Sequence, residues 1–315
     1  MEKKYDLLCC GIALVDSMIT GFDPNPVSAA GYRAETGTLR VGGEAVNGSI
    51  AAAKLGLRCA ILCSLGNDAA GDMVEGALRK NGVNLDCIIR SEEHATPVST
   101  MFIHDDGTRK SVTNTAHRYN FHPEQYKDIL SSARAVTIGS LFRAPFDDPE
   151  IILSVCRTVK ESGSMLFADT KLPNFRKITL CEIAEALPYI DCITPNEDEA
   201  KYHTGKEDPE EAADVLLGMG VSCVIVKLGG KGALLKNRHE TIRIPAFPVR
   251  AVDATGAGDN FLSGFAAMKL EGRSDQEALA FANACGAICT TGLGADAALR
   301  NRAQVMHFLD NNYVK

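Results

Sequence analysis

The stretch Asp253-Ala254-Thr255-Gly256-Ala257-Gly258-Asp259-Asn260-Phe261 runs two glycines straight into an apolar, helix-like sequence, with one acid ahead of the helix and another at its start. The first turn of a helix leaves backbone N–H groups unpaired at the positive end of the helix dipole, and this suits an anion. Gly256 and Gly258 lack the Cβ atoms that would hold a phosphate away from those amides. A carboxylate beside a phosphate is repelled by it. Asp259 makes sense there if it takes a proton from a hydroxyl that is about to attack phosphorus. The competing reading is a helix cap, since aspartate accepts hydrogen bonds from first-turn amides. The segment is not a Walker A loop, because no Gly-Lys-Ser/Thr follows. Nor is it a Rossmann fingerprint, because it lies near the C-terminus and lacks the third glycine.

Ahead of this loop, short apolar runs alternate with helix-like segments. Leu7–Leu14 and Cys59–Leu65 read as strands buried on both faces, with a helix over Glu44–Leu55 between them and another over Gly71–Lys80. The alternation resumes with Ala135–Gly139, Pro149–Glu161, Met165–Asp169, Ile178–Leu187 and Cys192–Thr194. It continues with a helix from near Asn196, a helix at Pro209–Leu217, a strand at Val221–Leu228 and long C-terminal helices. Such alternation predicts an α/β fold with a doubly wound, mainly parallel sheet flanked by helices. Residues 86–114 break the pattern. Pro97–His104 and Arg109–Thr113 alternate in polarity around the turn Asp105-Asp106-Gly107, as in an exposed antiparallel ribbon. With residues 15–39 they predict a small β-sheet lid on a single domain spanning 1–315.

Composition narrows the setting. The chain has 315 residues, 45% of them hydrophobic, and a formal charge of −7, which argues against nucleic acid or an anionic membrane as partner. The N-terminus has no signal-peptide layout, and no apolar run reaches transmembrane length. Eleven scattered cysteines then read as reduced, mostly buried thiols, and the expected location is cytoplasmic. Cys285 and Cys289 share a helix face, but no Cys-x-x-Cys or nearby histidine completes a metal site, so core packing is expected.

Three further segments complete a constellation: Gly42-Gly43-Glu44-Ala45-Val46-Asn47, Thr194-Pro195-Asn196-Glu197-Asp198-Glu199-Ala200 and Lys227-Leu228-Gly229-Gly230-Lys231-Gly232. With Asp253–Asp259, their order and spacing resemble the ribokinase-like (PfkB) carbohydrate kinase family across essentially the whole chain. The resemblance implies a ribokinase-like fold, with Asp259 as general base and the amides of Gly256, Ala257 and Gly258 as an anion hole for the transferring phosphoryl group. It implies ATP and Mg²⁺ as cofactors. Asn196 and Glu199 would organise Mg²⁺ (Glu199 largely through water), while Lys227, Gly229, Gly232 and Asn283 would lie along the nucleotide. Asp253 and Thr255 match positions that hold K⁺ in some members. On the acceptor side it implies Asp16, Gly42, Gly43 and Asn47 as sugar contacts, with Arg109 and Lys171 as further candidates and Arg143 within reach. Asp16 otherwise reads as a surface turn acid, Asn283 as a polar residue on a helix face, and Glu197 and Asp198 as helix-start acids.

The chain departs from ribokinases in carrying Glu44 where they usually have Lys in the Gly-Gly turn, and in having no acid in Gly139-Ser140-Leu141-Phe142. An inward Glu44 repels a phosphorylated substrate, so the expected acceptor is an unphosphorylated sugar or sugar acid, handled as by a fructokinase, ribokinase or 2-keto-3-deoxygluconate kinase. The alternatives are a nucleoside kinase of the same fold and a non-catalytic sugar or nucleotide sensor. Relatives also dimerise through the lid, so a homodimer is a further expectation.

Overall fold

Apolar runs become the middle of a sheet covered on both sides. The computed structural model describes residues 3–21, 33–103, 109–114 and 120–312. Its larger sheet contains β1 (Tyr5–Cys10), β4 (Cys59–Gly66), β5 (Ile88–Ser91), β8 (Ala133–Leu141), β9 (Met165–Thr170), β10 (Cys192–Ile193), β11 (Cys223–Lys227), β12 (Ala233–Asn237) and β13 (Thr241–Ile244). They lie in the order β13-β12-β11-β10-β9-β8-β1-β4-β5. Pairing is parallel from β5 to β11 and antiparallel through β12 and β13. Alternate residues of β1 feed opposite cores, Leu7 and Cys9 on one face and Leu8 and Cys10 on the other. Burying each such side chain stabilises the fold by roughly 1.5–3 kcal/mol.

Helices α1 (Glu44–Lys54), α2 (Ala69–Lys80), α7 (Ala257–Leu270), α8 (Asp275–Thr290) and α9 (Arg302–Asn312) cover the first face. The short α3 (Lys127–Leu130), with α4 (Pro149–Glu161), α5 (Glu197–Thr204) and α6 (Pro209–Gly218), covers the second. The starts of most of these helices are satisfied locally. Asp68, Asp148, Asn196, Asp208 and Ser274 accept hydrogen bonds from the first-turn amides of α2, α4, α5, α6 and α8. By contrast α1 and α7 begin after Gly43 and Gly256 and have no side-chain cap. Among the described residues no helix is long and apolar enough to cross a membrane.

Four strands form the second sheet, in the order β3-β2-β6-β7: β2 (Leu14–Thr20), β3 (Thr36–Gly42), β6 (Val98–Ile103) and β7 (Arg109–Thr113). The lid expected at 15–39 and 86–114 is therefore built from 14–20, 36–42, 98–103 and 109–113. Ile88–Ser91 pairs with β4 at the edge of the large sheet instead. The expected turn at Asp105-Asp106-Gly107 lies outside the described residues.

The run Leu7–Leu14 is not one strand. It breaks after Cys10, where Ile12 O accepts a bond from Ala45 N at 3.3 Å, and the chain re-enters as the first lid strand. Apolarity stays continuous because Ile12 and Ala13 are buried in the bend. Ile178–Leu187 is not an α-helix either. Successive i→i+3 turns lead into a 3₁₀ turn at Leu187–Tyr189, because Pro188 has no N–H to continue a helix. The hairpin β12–β13 was hidden between the lysine–glycine segment and the 253–259 loop.

Candidate active site

The two glycine-led helix starts meet. Asn47, in the first turn of α1, donates from Nδ2 to Asp259 Oδ2, in the first turn of α7, at 2.8 Å. Asp259 is 8% exposed. Burial pushes its carboxyl up to about 6; Lys171 and the Asn47 hydrogen bond oppose that rise, while Glu44 and Asp169 add to it. A carboxyl poised near neutrality is suited to taking a proton.

The first glycine ahead of it is required by crowding. Gly256 has φ 75, and a methyl there would stand 2.2 Å from the Ala295 Cβ. Asn260 completes the join by donating to both Gly256 O (2.9 Å) and Ala295 O (3.0 Å). Asp253, one residue group upstream, accepts from Thr255 N at 2.9 Å, Thr255 Oγ1 at 2.7 Å and Gly294 N at 2.8 Å. Both its oxygens thus clasp the 253–256 loop to the 293–295 loop, beside the α7 N-terminus.

A methyl on Gly258 would come within 3.2 Å of Lys227 Nζ and 3.3 Å of Asp169 Oδ2. Asp169, next to last in β9, is fully buried and is reached by Lys171 Nζ at 3.0 Å, by Lys227 Nζ, and by Thr194 Oγ1 at 2.8 Å. Burial disfavours the Asp169 charge, but Lys171 and Lys227 outweigh it and hold the carboxyl below its usual range. Burial likewise disfavours the Lys171 charge, and Asp169, Asp259 and Glu199 outweigh that. The Lys171 backbone is itself braced: Arg143 Nε donates to Leu172 O at 2.8 Å, and His203, stacked on Phe142, contacts Lys171 O at 3.1 Å. Phe142 adopts φ 76, a left-handed conformation that a bulky residue takes only under constraint.

Next to this group, Asn196 and Glu199 form a reciprocal capping box, and Glu199 Oε2 also accepts from Thr170 Oγ1 at 3.0 Å. Glu199 is therefore buried and committed along one edge. Among the described residues no three His, Cys, Asp or Glu side chains converge as a cage for a metal. The donor set fits a Mg²⁺ that would be carried by phosphates and kept hydrated, with Glu199 as the residue that would order its water.

On the acceptor side Asp16 lies in lid strand β2, and its Oδ2 sits 2.3 Å from where a Gly42 Cβ would be. A Cβ on Gly43 would meet Ile12 O at 2.3 Å, so that glycine lets the α1 turn cross the chain. Glu44 turns inward. It packs over Gly139, and its Oε1 accepts from Ser140 Oγ. A cleft of about 700 Å³ opens between the lid strands, helices α1 and α2 and the 252–255 and 293–296 loops, lined by Asp16, Gly42, Asn47, Met73, Asp253 and Thr255 among others.

Other expected site residues stand differently. Asn283 donates to Pro245 O at 2.9 Å, tying α8 to the irregular segment that follows β13. Gly232 is required because a Cβ would meet Ile244 O at 1.9 Å. Gly229, with φ 56, faces open space. Lys227 contributes its ammonium to the site centre as well as its backbone. The Arg109 side chain lies outside the described residues, and Arg143 braces the 171–172 backbone. The strand end Asp169-Thr170-Lys171 resembles a segment of fructokinase relatives in its acid, but the pairing of Asp169 with both lysines was not anticipated, nor was the Glu44–Ser140 contact. Their only signal was an acid and a lysine two apart at the end of a buried strand, and an acid in a turn that abuts another strand end.

The pfkB family carbohydrate kinase profile matches residues 10–302. The chain is 30% identical over 312 residues to Probable fructokinase-5 of Arabidopsis thaliana, covering 93% of this chain and 95% of the relative. Its fold superposes on Arabidopsis thaliana ribokinase complexed with ribose and ATP, with a TM-score of 0.87, 28% identity, and coverage of 98% and 99%. A provisionally assigned ribokinase II from E. coli in complex with ATP and Mg²⁺ follows with a TM-score of 0.80, 26% identity, and coverage of 97% and 99%. The ribokinase fold, the paired glycine-led helix starts and the match over nearly the whole length lead to one conclusion: this chain belongs to the pfkB family of carbohydrate kinases.

Proposed function

We propose that this protein transfers the γ-phosphoryl group of ATP to a hydroxyl of an unphosphorylated sugar held between the lid and the main sheet. The observation that carries this reading is Asp259: buried, set at an uncapped helix N-terminus and in contact with Asn47, with its carboxyl pushed up to about 6 by burial. Asp259 takes the acceptor proton as the oxygen attacks phosphorus, and the Gly256–Gly258 amides receive the charge that develops on the phosphoryl oxygens. Asp16, Asn47 and the Gly42–Gly43 turn orient the acceptor hydroxyls, a carboxylate taking two neighbouring O–H donors. The β11 end, with Gly229 open beside Lys227, receives the nucleotide. Mg²⁺ supplies charge neutralisation on the ATP phosphates, with Asn196 and Glu199 ordering its water. The inward Glu44 opposes phosphorylated acceptors and, for the same reason, ranks a neutral sugar above a sugar acid.

One observation supports a second reading, a nucleoside acceptor. Met18, Met73 and Met101 line the cleft, and thioethers pack well against a base. A non-catalytic sensor is disfavoured, because it has no use for a base held near neutrality. A K⁺ between the two loops clasped by Asp253 belongs to the same reading, as does a homodimer through the lid. Support for the dimer comes from the lid's outer strands β3 and β7, which expose Leu39 (60%) and Val112 (69%). A cytoplasmic setting fits eleven thiols, none of them in a disulfide.

The test is ADP release from MgATP across neutral sugars, sugar acids, sugar phosphates and nucleosides, in K⁺ and in Na⁺, with sedimentation to give the oligomeric state. Turnover of a neutral sugar supports the primary reading, and selective turnover of nucleosides replaces it. Release that no acceptor stimulates refutes both.

A further inference from the structure

Two ammonium groups meet at one buried carboxylate beside the glycine loop. Lys171 Nζ and Lys227 Nζ each donate to Asp169, one to each oxygen, and Thr194 Oγ1 adds a third bond at 2.8 Å. The lysine side chains are 26% and 15% exposed, and Asp169 is not exposed at all. An ammonium has three donors, so after giving one to Asp169 each lysine has two more to direct elsewhere. The group carries two positive charges and one negative, which leaves a net positive charge. It lies against Gly258, whose Cβ position is 3.2 Å from Lys227 Nζ. Lys171 is fixed from behind by Arg143 and His203 through its own and the next backbone carbonyl.

Two lysines bridging one carboxylate is an inefficient way to stabilise a fold. Desolvating three charges is expensive, and well-packed apolar residues of similar volume would serve at least as well. The arrangement is efficient for holding two cations rigidly where a polyanion arrives. The Asp259 and Glu199 carboxyls lie near enough for both to favour the Lys171 charge.

We propose that Lys171 and Lys227 together grip the transferring phosphoryl group, and that Asp169 is a positioning residue that sets their spacing. This rests on the kinase reading above. As the acceptor oxygen forms its bond to phosphorus, the bond from phosphorus to the bridging oxygen breaks and its electron pair leaves with ADP. The acceptor proton passes to Asp259, and the equatorial phosphoryl oxygens take hydrogen bonds from both ammonium groups and the Gly258 amide. A grip on that group distinguishes ATP from ADP, because only ATP carries it.

The experiment compares calorimetric binding of ATP and of ADP, each with Mg²⁺, to wild type, Lys171→Met, Lys227→Met and Asp169→Asn, together with turnover. Each lysine variant is expected to weaken ATP at least about tenfold while leaving ADP within about twofold, and to lower kcat by about 10²-fold. Asp169→Asn is expected to lower kcat similarly with a smaller change in ATP affinity, and Lys171→Arg to restore part of the loss. Equal weakening of ATP and ADP, or no change in either, overturns the proposal and leaves the three residues a structural ion cluster. ATP binding that depends on both lysines, in a protein that phosphorylates no acceptor, refutes the kinase reading and still supports the grip.

Discussion

Asn47→Leu isolates the control of the base. Leucine keeps the branched outline of asparagine and is somewhat larger, so water gains no room, but the donor to Asp259 Oδ2 at 2.8 Å is gone. That donor favours the ionised carboxyl, whose pKa is already pushed up to about 6 by burial. A hydrogen bond to a charged group contributes about 1.5–3 kcal/mol, and one pH unit corresponds to about 1.4 kcal/mol, so its loss raises the carboxyl by roughly one to two units. The acid limb of kcat/KM, which reports the free enzyme, is then expected near 6 in wild type and between about 7 and 8 in the variant. At pH 6.5 ionisation alone separates the two by about tenfold, and the gap closes above about pH 9. Lost sugar contact lowers kcat/KM by a factor independent of pH and so does not imitate the shift. The assay is coupled ADP release from pH 4.5 to 9.5 with the best acceptor. A wild-type limb at the ordinary carboxylate value near 4, or a variant limb that stays at the wild-type value, would refute the reasoning.

Three further outcomes are expected. Asp259→Asn binds both substrates yet loses about 10²–10⁴-fold in turnover. Because the folded Asp259 titrates above its unfolded value, its proton-linked stabilisation is present below about pH 4 and lost as pH rises through about 6. The ionised carboxyl therefore costs roughly 3 kcal/mol at pH 7.5, so the same variant should melt higher than wild type there and gain less at pH 4.5. Gly256→Ala combines a left-handed backbone, costing about 1–2 kcal/mol, with a methyl 2.2 Å from the Ala295 Cβ. It should destabilise the fold measurably by denaturant titration and lower kcat at least about tenfold as the amides shift. Glu44→Gln removes a charge that raises the Asp259 pKa, so the acid limb moves to lower pH and activity toward anionic acceptors, relative to neutral ones, increases. Unchanged relative activities would remove Glu44 from acceptor selection.

Local chemistry was legible in the chain alone. The glycine pair before an apolar helix announced an uncapped N-terminus, the buried runs announced a parallel sheet, and Asn196 with Glu199 announced a helix start, because each of these depends on neighbours within a few residues. Boundaries were less legible wherever apolarity continued through a change of partner, as at Ile12–Ala13, where the chain leaves one sheet for the other without becoming polar. What tertiary structure decided was where charge goes. Asp169, Lys171 and Lys227 lie up to 58 positions apart, and only the parallel pairing of β9, β10 and β11 brings their ends together. Gly232 reads as a nucleotide contact, and only the fold shows that a glycine is required there because the chain passes the 244–246 segment. Glu44 read equally well as a helix-start acid until β8 supplied Ser140 and drew it inward. Electrostatic roles depend on distance and burial, which a linear pattern does not contain. Hydrogen-bonding periodicity does repeat along the chain, and that is why the sequence by itself determined the fold class and the glycine loop, while the packed sheet determined what the loop faces.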